Sequence, residues 1–88
     1  MVTFNIPRPN VIESDEGYSV EVLGPTGLRY SESGRALNLD SESLAGPSGL
    51  ILFAQSGSFD GLSQAEKERI INNVRAAFKF RGFNIRVA

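Results

Sequence analysis

Residues 18–40 read YSVEVLGPTGLRYSESGRALNLD, and this stretch decides the fold. Tyr18, Val20 and Val22 alternate with Ser19 and Glu21, the two-residue period of a strand with one buried face. Gly24-Pro25-Thr26-Gly27 then turns the chain, because proline presets φ and glycine tolerates positive φ. Leu28 to Glu32 reads as the next strand and Ser33-Gly34 as a tight turn. Arg35 to Asp40 follows as a third strand, with Leu37 and Leu39 on a common face. Strands joined by turns this short pair antiparallel with their neighbours, so the stretch predicts a meander.

Upstream, Val2, Phe4 and Ile6 alternate until Pro7 and Pro9 stop the pattern. Proline cannot donate to a ladder, so residues 1–10 are either an edge strand or a loosely docked arm. Val11-Ile12-Glu13 is a short further strand, set off by the turn-like Ser14-Asp15-Glu16-Gly17. Downstream, Ser41 to Gly49 is polar and glycine-rich, with Leu44 its one large apolar residue. Leu50 to Ala54 is then an unbroken apolar run, which places that strand inside the sheet or beneath two layers. Gly24-Pro25-Thr26-Gly27-Leu28 and Gly46-Pro47-Ser48-Gly49-Leu50 share a frame, read as one turn solution used twice.

One helix is legible between Ser63 and Gly82. Ser63 and Glu66 have the spacing of a capping box, in which the serine oxygen takes a free amide three residues on. Ile70, Ile71, Val74, Ala77 and Phe78 form one apolar stripe, and Gly82 sits where a left-handed cap is expected. Glu68, Arg69, Asn72, Arg75, Ala76 and Lys79 make the solvated face. Phe80 lies roughly 120° off the stripe and either covers the sheet edge or stays exposed as an anchor. Phe83, Ile85 and Val87 alternate as a last strand returning to the sheet. The expected fold is therefore a single α+β domain over residues 1–88. It has a mostly antiparallel meander of about five to six short strands, one helix across a face, and a final strand.

Composition narrows function. The chain has no Cys and no His, which removes disulfides, thiolate nucleophiles, the usual base near neutral pH and the commonest metal ligand. Neither a phosphate loop nor a dinucleotide fingerprint is present, so no cofactor is implied. Asn38, Asp40 and Glu42 alternate on one side of a strand end, but three oxygens fall short of calcium's six to eight, and no metal site is expected. A carboxylate-dependent enzyme would need a cleft of about 300 Å³ or more lined by two acids. Catalysis is accordingly not expected.

The net charge of −1 conceals a division. Residues 1–62 hold eight acids against three arginines, a balance of −5; residues 63–88 balance at +4. The two parts should attract each other across the fold, and an acidic surface should favour a basic partner. The basic residues are few and lack aromatic interleaving, which argues against nucleic acid. With no basic-then-apolar leader and no apolar run of about 18 residues, the chain reads as cytoplasmic and free of the membrane.

Gly27-Leu28-Arg29-Tyr30-x-Glu32-x-Gly34-Arg35, followed by Asp40-Ser41-Glu42, an apolar strand, an aromatic loop and a helix ending near Gly82, resembles the small bacterial immunity proteins of polymorphic toxin systems, of the contact-dependent inhibition type. The resemblance spans roughly residues 18–88 and departs at Phe59, where a tryptophan is expected. It implies a non-catalytic protein that binds and neutralises a cognate toxin domain, such as a basic nuclease, by surface complementarity. On that reading Glu32, Asp40, Glu42 and Asp60 stand near the binding surface. Tyr30, Arg35 and Phe59 are further candidates, Phe59 serving either as a lid on the core or as an exposed anchor. The alternative from another class is a self-associating module that pairs through a sheet edge, and either protein could be monomer or homodimer.

Overall fold

The computed structural model describes residues 3–43, 49–54 and 59–88. Seven strands and one helix follow in order: β1 (Phe4–Arg8), β2 (Val11–Ser14), β3 (Tyr18–Val22), β4 (Thr26–Glu32), β5 (Arg35–Ser43), β6 (Leu50–Leu52), α1 (Gln64–Phe80) and β7 (Ile85–Val87). They form one curled α+β sheet in sequence order, antiparallel from β1 through β6 and parallel between β6 and β7. The expected meander is thus present as six strands, followed by the helix and the expected final strand.

Alternation carries through into packing. Val20 pairs with Tyr30 and Tyr30 with Leu37, while Leu28 pairs with both Val22 and Leu39, so these side chains share the inner face. Leu28, Tyr30, Val20 and Leu39 are essentially inaccessible there. The helix lays Ile70, Val74, Ala77 and Phe78 onto that face, the stripe its spacing predicts. Tyr18 and Tyr30 stack with ring centroids 5.7 Å apart, adding aromatic contact to the burial.

β1 continues through Pro7 to Arg8 rather than stopping before it. It lies at the sheet edge, where the missing proline amide costs no ladder bond, and its register shifts between Asn5 and Arg8. At the far side, β6, α1 and β7 make a parallel crossover unit, which needs an intervening helix rather than a tight turn. Gly49 permits this junction. Its φ is +80°, and a Cβ there would overlap the Asn84 carbonyl, while Leu50 donates its amide to that same oxygen at 3.1 Å. Gly27, the counterpart in the shared frame, also has positive φ at +93° and donates its amide to Ser41 Oγ at 3.0 Å. Gly46, Pro47, Ser48 and Leu44 lie outside the described residues, as do residues 55–58 of the loop before the helix.

The helix begins as read: Ser63 Oγ accepts the Glu66 amide at 3.1 Å. Glu66 answers through the serine hydroxyl, which donates to its carboxylate at 3.3 Å. Gly82, at φ +83°, closes the other end, and Phe83 donates its amide back to the Phe78 carbonyl at 2.9 Å. No helix among the described residues is long and apolar enough to cross a membrane.

Candidate functional site

Glu32 ends β4 on the inner face, two residues beyond Tyr30, so the pleat brings both under the first half of α1. The Tyr30 hydroxyl donates to Glu32 Oε1 at 2.7 Å and accepts from Asn73 Nδ2 at 2.8 Å. Arg69 grips both carboxylate oxygens, Nη1 to Oε1 at 2.5 Å and Nη2 to Oε2 at 2.7 Å. Arg35, across the Ser33-Gly34 turn, reaches Glu32 at 3.3 Å and Glu66 at 3.0 Å. Tyr30, Glu32 and Arg35 therefore do meet, as the hairpin requires, but in a clamp that fastens the hairpin to the helix.

Chemically this clamp is a structural device. The Arg69 guanidinium, followed by the hydroxyl of Tyr30 and the guanidinium of Arg35, holds the Glu32 carboxyl at about 2 despite the opposing effect of burial. Burial, and then the neighbouring Glu32, push the Tyr30 hydroxyl up. A carboxylate that ionised and that fully engaged is a poor base and no proton donor near neutral pH. Only 10% of the Glu32 side chain is exposed, whereas Arg35 and Glu66 are each about 40% exposed, so the Glu32–Arg69 pair contributes more than the outer pair.

Periodicity places Arg69 on the solvated helix face, and nothing in the sequence gives Asn73 or Glu66 a binding role. The one signal for this contact was the opposed charge of the two parts of the chain, since Glu32 and Arg69 belong to opposite parts. The remaining candidates do not gather with the clamp. Phe59 is 5% exposed within the core cluster, with the Lys67 ammonium 5.7 Å from its ring centroid: it is a lid, not an exposed anchor. Tyr30 is likewise wholly buried and cannot offer its ring to a partner. Asp60, next to Phe59, is exposed. Asp40 and Glu42 are exposed on β5, facing away from Leu39 and Ser41, with Glu42 opposite Ile51. Glu42 lies seven positions beyond Arg35, about 23 Å along a strand.

What the clamp leaves open is the outer face of the sheet. Glu13, Ser19, Ser31 and Ala36 stand in register across β2, β3, β4 and β5, forming one row of polar and small side chains. At the strand ends this row borders a groove of about 520 Å³ between the Gly17 turn and the Ser33-Gly34 turn. Glu13 and Glu32 both border it, so its size and acids meet the enzyme criterion. Glu32, however, is committed to Arg69 and Tyr30. Glu13 and Glu42 make no ion pair among the described residues, while Glu21 is shared at 3.8–3.9 Å by Arg29 and Arg8. No cluster of three metal-ligating side chains occurs among the described residues. Phe80, 48% exposed, does both things asked of it: its ring meets Phe4 of the edge strand at 5.2 Å, and its other side stays bare.

Comparison with models of protein families, with curated proteins and with solved structures finds no match for this chain.

Proposed function

We propose that the protein is a non-catalytic cytoplasmic binding domain whose role is to neutralise a toxin domain, as the Arg29-Tyr30-x-Glu32 core and the order of elements suggest. One observation carries the reading. The inner polar groups are locked into the clamp, while the outer sheet face, with Glu13, Asp40 and Glu42 exposed along it, is covered by no helix among the described residues. A rigid sheet with a polar, partly acidic face suits surface complementarity with a basic partner, and its charge would speed the encounter. Glu32 contributes through the fold, by fixing the hairpin to the helix, rather than by touching the partner.

The test is co-expression. If the gene adjoins one for a secreted toxin, this chain should co-purify with that toxin domain and restore growth to cells expressing it. Growth arrest despite full expression of the soluble chain would sink the proposal. A second reading, self-association, draws on one observation: β7 is an edge strand without proline, whereas β1 is blunted by Pro7 and a register shift. Light scattering at several concentrations separates the two, since edge pairing predicts a mass that doubles with concentration.

A further inference from the structure

Three large apolar side chains stand exposed among the described residues: Leu23, Phe80 and Phe83. One of them, Phe83, lines a cleft of about 210 Å³ at the C-terminal end of α1. Pro9 and Asn10 of the first turn form one wall, Val22 another, and Phe78, Arg81 and Phe83 the third. Leu23 follows Val22 directly, at 44% exposure, and Phe83 is 39% exposed. The helix cap accounts for half of this arrangement. The hydrogen bond that the Phe83 amide donates to the Phe78 carbonyl accompanies a ring separation of 6.5 Å, the apolar contact that such caps usually carry. It does not account for the bare outer side of Phe83.

The one charged side chain among the residues lining the cleft is a cation. Arg81 forms part of the wall, and neither Arg81 nor Lys79 makes an ion pair among the described residues. Arg8 precedes Pro9 and reaches Glu21 only at 3.9 Å; Glu21 is also shared with Arg29 and with the Asn10 amide. Lys79 and Arg81 suit the negative end of a helix, but that role asks nothing of the apolar walls. An aromatic residue and an arginine around a small apolar recess are the composition enriched at binding hot spots.

We propose that this cleft docks a peptide segment of another protein, one that presents a leucine- or phenylalanine-sized side chain flanked by carboxylates. The apolar side chain fills the recess against Val22, Phe78 and Phe83. The carboxylates pair with Arg81 in the wall, which makes no ion pair among the described residues. The site lies at the opposite end of the strands from the Gly17 and Ser33-Gly34 turns and does not depend on the toxin-neutralising role.

The experiment is a titration of the ¹⁵N-labelled full chain with two capped peptides, each a Leu-Phe pair flanked by two aspartates or by two lysines on either side. The aspartate peptide should move the amides of Asn10, Val22, Arg81 and Phe83 and bind at least about ten-fold more tightly than the lysine peptide. Arg81→Glu should erase or invert that preference. Arg81→Gln, which spares the helix end a negative charge, should lessen it, with both circular dichroism spectra unchanged. Equal binding of the two peptides, or shifts confined to other surfaces, overturns the proposal. So does movement of the same amides with protein concentration alone, which would assign the cleft to a second copy of the chain.

Discussion

Replacing Glu32 by Gln keeps the shape of the side chain and removes its charge, which isolates what the clamp contributes to stability. The lowering of its carboxyl from 4.5 to about 2 sets a ceiling of roughly 3 kcal/mol. Arg69 is 47% exposed and can recover water when its partner is neutral, so part of that figure is screened away. A loss of about 1.5–2.5 kcal/mol is expected, in keeping with hydrogen bonds to a charged group. For a domain of this size that corresponds to a fall in Tm of about 10 °C. The pH dependence carries the sign. Because the folded carboxyl is depressed, its stabilisation is fully present above about pH 4.5 and fades as pH falls toward 2. Urea unfolding followed by circular dichroism at pH 7, 4 and 2.5 should show the gap between wild type and Glu32→Gln narrowing at the lowest pH. A gap under about 0.5 kcal/mol at pH 7, or one that stays constant down to pH 2.5, would refute a charge-based clamp.

Three other substitutions probe the same architecture. Gly49→Ala meets both a positive φ and the Asn84 carbonyl, so a loss of about 3 kcal/mol or more is expected in thermal melts; wild-type stability would mean that β6 and β7 are not joined this closely. Phe59→Ala empties a core position and should cost about 3 kcal/mol with the denaturant slope unchanged; a loss under about 1 kcal/mol would make Phe59 a surface residue. Ser63→Ala removes the helix cap and should cost about 1 kcal/mol, measurable as earlier exchange of the Glu66 amide; unaltered exchange would remove the cap from the account.

The features that were legible in the sequence are those set by near neighbours. Tyr18, Val20 and Val22 announced a strand through alternation, and Ser63 with Glu66 announced a helix start through a contact three residues long. Strand order was also within reach, because short turns force sequential pairing. Contacts between distant residues left less trace. Arg69 lies 37 positions from Glu32, and nothing in a helical repeat tells a side chain that is solvated from one that leans back to a hairpin tip. Gly49 looked like half of a repeated turn, yet its role depends on the backbone of Asn84, which no local pattern encodes. Phe59 sat among polar residues, so its burial followed only from where the helix places the loop. The candidate site was legible as a hairpin cluster; its division into a buried clamp and an open sheet face was not.

The acidic outer face is the part of the account that bears most directly on function, and an association rate measures it. Stopped-flow mixing of the co-purified toxin domain with wild type, Glu13→Lys and Glu42→Lys should be run from about 0.05 to 0.5 M salt, where the Debye length shortens several-fold. Each reversal should slow association by roughly three- to ten-fold at low salt and flatten its salt dependence, with folding stability unaltered. Association rates that match wild type at every salt concentration would contradict the claim that this face meets the partner.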